Sequence, residues 1–128
     1  MGDMSANFTQ SSLYVKGSAL KENRDRVKRF VRAYTEAIHA IKTDRDRAMK
    51  VFASRMRVED PDTVKSTYEY FAPRFSLPPR VNLEGVRDTI RFYAEHNADF
   101  KNRTAEEFID HSVLDELEKE GFFKKLGS

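Results

Sequence analysis

The feature that most constrains this chain is a run of helical periodicity opening near Asn23. In "NRDRVKRFVRAYTEAIHAIK" the apolar positions are Val27, Phe30, Val31, Tyr34, Ile38 and Ile41. That i, i+3, i+4 spacing lays one apolar stripe along a helix running to about Lys42. Asn23 suits its N-cap, and Asp25 in the first turn faces the positive end of the dipole. Thr43 and Asp44 are predicted to cap a second helix with Ala48, Met49, Phe52 and Met56 inside. "EDPD" starts a third, with Pro61 where its missing N–H is harmless, and Val64, Tyr68, Phe71 and Phe75 follow at helical spacing. Pro73 is expected to end or kink it near Phe71 and Ala72.

The extended connector "SLPPRV" leads to Asn82 or Leu83, where a fourth helix opens with Leu83, Val86, Ile90 and Tyr93 facing inward. Thr104 and Glu107 form a capping-box pattern. A last short helix, "SVLDELEKE", stops at Gly121, with Phe122 placed to fold back on the preceding turn. Ahead of all these, "SSLYVKG" reads as a short strand through Leu13, Tyr14 and Val15. The expected fold class is therefore all-α for the most part. It is a compact bundle of about five helices with at most one short N-terminal strand. Residues 1–12 are expected to be a flexible lead, 13–126 one helical domain and 127–128 a tail.

Composition narrows the function classes. Lys+Arg number 23 against 21 Asp+Glu, a net +2, too balanced to imply nucleic acid or membrane by charge alone. Cysteine is absent, which removes disulfides, thiolate metal sites and thiol nucleophiles together. No apolar run approaches the ~20 residues that span a bilayer, and "MGDMSANFTQSS" has no signal-peptide pattern. Met1-Gly2 opens a myristoylation motif that Ala6 breaks. Burying the apolar stripes gains roughly 1.5–3 kcal/mol per side chain. Ordering each residue costs about 1–2 kcal/mol, so the bundle is expected to be marginal and to self-associate as a two-fold dimer. The long N-terminal helix is the expected shared element.

The chemistry-bearing residues mostly have a plain reading. Lys21, Arg24, Arg26, Lys28, Arg29 and Arg32 form the one strong basic cluster, and Arg24, Lys28 and Arg32 share a face that could track phosphates. The i, i+4 pairs Asp25–Arg29, Arg32–Glu36 and Asp46–Lys50 favour a solvated, salt-bridged surface instead. His39, His96 and His111 lack the converging partners that zinc requires. The aromatics of "TYEYFAPRF" fit core packing better than a stacking platform, with Tyr70 left unassigned on another face. Phosphate loops and nucleophile elbows are missing. The residues thus predict no enzyme, no cofactor and no metal.

Three stretches together resemble the C-terminal part of the periplasmic solute-binding proteins of the nitrate/sulfonate/taurine type, including relatives that handle thiamine pyrimidine precursors. They are "SSLYVKGSALKENRDRVKRFVRAYTEAIHAIKTDRDRAMKVFASRMRVEDPDTVKSTYEYFAP", "VNLEGVRDTIRFYAE" and "TAEEFIDHSVLDELEKEGFF". They are similar to the family's strand, "L-K-E-N" turn and "D-P" helix, its "L-E-G" helix, and its closing "E-x-F-I/V-D" helix and "G-F". The match runs in order from about Ser11 to Phe123. The resemblance implies a two-lobed type 2 α/β binding protein that delivers a small solute to an ABC permease, of which this chain is about the last third. It implies a periplasmic or lipid-anchored extracellular parent, although the chain carries no targeting signal. The partners implied are the missing N-terminal lobe and the permease. Gln10 and Ser11, near the returning crossover, are the candidate ligand-binding residues against a plain linker reading. Taurine, nitrate, sulfonate and pyrimidine binders share this tail, so the solute is not specified. The alternative is a stand-alone helical protein-interaction module, and a third reading is a basic nucleic-acid binder.

Overall fold

Asp44, Asp60 and Asn82 each stand immediately before a helix, and each side chain accepts a hydrogen bond from a backbone N–H of the first turn: those of Arg47, Thr63 and Glu84 respectively. These caps satisfy donors that a helix start leaves without intrahelical partners. They set the starts of α3 (Arg45–Met56), α4 (Pro61–Phe71) and α5 (Leu83–Ala94). The computed structural model describes residues 12–127. In these, α1 is Gly17–Glu22, α2 Arg24–Thr43, α6 Ser112–Lys119 and α7 Phe122–Lys125. Short 3₁₀ turns occupy Ala72–Arg74, Ala98–Phe100 and Ala105–Glu107. The fold class among the described residues is all-α, with no strand.

The residues group into two compact units: residues 12–22 with Val81–Ser112, and Asn23–Arg80 with residues 113–127. In the second unit α2 contacts α3, and α3 contacts α4. Tyr68 Oη donates to the Ile41 carbonyl at 2.8 Å, and Lys42 Nζ to that of Ala72 at 3.1 Å. Thr35, Ile38, Ala48, Val64, Ala72, Val113, Leu114, Leu117, Phe122 and Phe123 are buried. In the first unit α5 contacts the turns at Ala98–Phe100 and Ala105–Glu107. Gly85 and Ala105, both small and buried, lie on contacting elements, where the absence of bulk permits close approach.

Several expectations need correction. The predicted strand is not formed: Leu13, Tyr14 and Val15 are exposed, Tyr14 at 89%, and the chain turns helical at Gly17, within the expected strand. A lone strand has no ladder to satisfy its backbone groups, whereas α1 supplies i→i−4 partners, the Leu20 N–H reaching the Lys16 carbonyl at 3.1 Å. The expected "L-K-E-N" turn is the end of that helix plus a bend at Asn23. Asn23 precedes α2 but makes no side-chain capping bond.

Phe30, Met56, Phe71 and Tyr93, expected inside, are exposed. On α2 the most buried line runs through Thr35 and Ile38, 0% and 3% exposed. At 100° per residue Phe30 lies about 140° around the helix from Thr35. Thr35 sits inside because its hydroxyl donates to the Val31 carbonyl at 2.8 Å, which removes the cost of burying it. Met56 and Phe71 are the last residues of α3 and α4, where the apolar stripe outruns its cover. Tyr93, near the end of α5, instead leans on the Phe100 ring at 5.6 Å.

Candidate functional site

The basic face of α2 is the first place to look for a site. Arg24 and Lys28 share the helix face that carries Thr35, eleven and seven residues before it. Both reach across to α6 and its end. Arg24 Nε donates to Glu116 Oε1 at 2.9 Å, with the Arg24 Nη2 on the same oxygen. Lys28 Nζ lies 3.4 Å from Glu116 Oε2 and bonds Glu120. One turn further on, Arg32 sets its guanidinium 4.9 Å from the centre of the Phe122 ring. The hydrogen bond from Arg24, joined by Lys28, holds the Glu116 carboxyl below the usual carboxylate range. Glu120, and after it Glu116, raises the Lys28 ammonium.

The face is salt-bridged, but Arg24 and Lys28 find their partners on and just beyond α6 rather than along α2. The expected pairs Asp25–Arg29, Arg32–Glu36 and Asp46–Lys50 are not among the ion pairs of the described residues. Two of the three cations are neutralised across the chain, and the third covers an aromatic ring. A face committed in this way has little charge left for phosphates. Further along, Arg80 forks to Asp115 and Glu118, both at 2.8 Å, and so ties the connector to α6.

The second place is an open depression of 340 Å³ between α3 and α4. Met49, Ala53, Pro61 and Val64 give it an apolar lining, with Asp46, Lys50 and Glu59 as the charged members. Sequence reasoning did not find it, because its lining comes from two helices and a loop. Only the alternation of apolar and charged residues in "DRAMKVFA" hinted at a two-sided α3.

The third place is the aromatic group on α5. Phe92 meets Tyr93 and His96 edge-on, and Tyr93 lies tilted against Phe100. Its nearby cations are engaged: Arg87 with Glu84 and Glu106, Arg91 with Asp88, and Arg103 with Glu107. Arg103 also lies 5.1 Å from the Phe108 ring centre. His111 Nε2 accepts from the Val81 N–H at 3.0 Å, so it is occupied in joining the two ends of the Val81–Ser112 segment. Among the described residues no three His, Asp or Glu side chains group as a metal would need.

Tyr70 now has a structural place. Arg74 lies 3.7 Å from its ring centre and donates to its backbone carbonyl, while Phe71 meets it edge-on at 5.0 Å. Together these groups close the C-terminal end of α4. The candidates Gln10 and Ser11 lie outside the described residues. No family model, curated protein or solved structure matches the chain.

Proposed function

We propose that the chain is the C-terminal helical portion of the substrate-binding component of an ABC transporter of the nitrate/sulfonate/taurine or pyrimidine-precursor type. In this reading it holds no complete ligand site of its own. The observation that carries the proposal is the order and spacing of three stretches between Ser11 and Phe123. Further support comes from where those stretches fall. The "D-P" pair supplies the Asp60 cap and the Pro61 first position of α4. The "L-E-G" run is the first turn of α5, with Gly85 buried. "E-G-F-F" places Gly121 in the left-handed conformation and buries Phe122 and Phe123. Each motif thus coincides with a device that the helices need, and would be kept wherever those helices are kept.

The partners under this reading are an N-terminal α/β lobe and an ABC permease, and the parent is periplasmic or lipid-anchored outside the cell. No helix among the described residues is long and apolar enough to cross a membrane. The test is the genomic frame upstream of Met1. The expected result is a continuous frame of alternating strands and helices behind a secretion signal. A promoter and ribosome-binding site directly ahead of Met1 would contradict it. That second outcome would favour a stand-alone helical interaction module.

A further inference from the structure

The outward side of α2 carries an apolar face. Phe30 is 60% exposed, Ala33 and Ala37 are exposed, and Ala40 is half-buried. At 100° per residue these four fall within an arc of about 80°, opposite the line of Thr35 and Arg24. On one flank of that arc stand Arg29 and Glu36, both exposed, and neither has an ionic partner among the described residues.

We propose that this face is a self-association surface, on which two copies of the chain pair their α2 helices antiparallel about a two-fold axis. The occupant follows from the charges and the shape together. Seating Phe30 of one copy between Ala33 and Ala37 of the second gives residue numbers that sum to 63 and 67, a mean register of 65. Arg29 and Glu36 also sum to 65, so the same register sets each Arg29 beside the second copy's Glu36. In an antiparallel two-fold pair each flank meets its own counterpart, and both residues lie on the same flank. The contact therefore closes with two opposite-charge pairs and no like-charge pair between these residues. The small alanines let the backbones approach closely while Phe30 fills the gap. Isologous contacts of this kind end at the dimer rather than growing. The stretch from Phe30 to Ala40 covers only about 15 Å, short of a standard interface, so association is weak and is read at high protein concentration.

Sedimentation equilibrium at low ionic strength tests this with charge swaps, alongside circular dichroism to follow helicity. The unaltered chain is expected to show a concentration-dependent dimer. Arg29→Glu alone and Glu36→Arg alone each place like charges opposite one another, and each is expected to weaken the dimer about tenfold or more. An equimolar mixture of the two single variants restores both pairs in a heterodimer, as the double swap does in a homodimer. Phe30→Ser, which changes no charge, is expected to weaken association as well. A monomer at every concentration would overturn the proposal. So would single variants that dimerise like the unaltered chain, or a mixture that fails to regain association.

Discussion

Arg57 closes α3 in the left-handed conformation, at φ 54° and ψ 44°. An L-residue with a Cβ pays about 1–2 kcal/mol there, and Arg57→Gly removes that cost while adding some unfolded-chain entropy. The expected net gain is about 0.5–1 kcal/mol, read as a higher denaturant midpoint. Gly121 holds the same region at φ 74°, and a Cβ there would meet no atom within 4 Å. Gly121→Ala should therefore cost about 1 kcal/mol from the backbone alone. At Glu116 the stabilisation is electrostatic. Arg24 first, and Lys28 after it, lower the folded-state pKa of this carboxyl, so the unfolded chain binds the proton more readily. Its contribution is complete above the ordinary glutamate range, about 4.3, and is lost as pH falls through the lower folded value. Asp60, Glu106 and Glu107 are depressed as well, so their contributions run the same way. Lys28 is raised, chiefly by Glu120; its contribution is complete below the ordinary lysine range and lost as pH rises through the raised value. Urea midpoints between about pH 2 and 6 should fall toward acid, and Glu116→Gln should flatten part of that fall. An identical acid limb in the variant would contradict the Arg24–Glu116 assignment.

Among the helices of eight residues or more, α6 buries the largest share of its side chains: Val113, Leu114 and Leu117 are all buried, Leu117 completely. Leu117→Ala should cost about 2–5 kcal/mol, whereas Arg24→Gln at the exposed end of the same seam should cost about 0–1 kcal/mol. Thermal melts of the two variants separate apolar burial from ion pairing as what holds α6. Because that seam spends Arg24 and Lys28 on carboxylates, fluorescence anisotropy with duplex DNA at physiological salt should show no binding. A steep salt dependence would instead reveal phosphate neutralisation. Helix starts were legible because caps are local: Asp44, Asp60, Asn82 and the Thr104–Glu107 pair bond backbone or side chain within three residues. The facing of α2 was only partly legible. Its stripe held Val27, Val31, Tyr34 and Ile38, but Thr35 counted as polar and the partners of Arg24 and Lys28 stand 92 residues away. No periodicity within one helix can report a pairing that distant.

At the scale of the whole molecule, helical architecture followed from patterning that repeats every three or four residues, while candidate ligand residues did not follow from any pattern. Gln10 and Ser11 came from resemblance and lie outside the described residues. The depression between α3 and α4 needed Met49 and Ala53 from one helix to meet Pro61 and Val64 from the next, a convergence that packing alone decides. Under the proposed function this chain is part of a larger solute-binding protein and lacks a complete site. Titration calorimetry tests it most directly, comparing this chain with the longer chain read from its upstream frame against nitrate, taurine, other sulfonates and pyrimidine precursors. Specific heat of binding is expected for one of these solutes with the longer chain and none with this chain alone. Micromolar affinity for any of them in this chain by itself, or no binding of any of them by the longer chain, would contradict it.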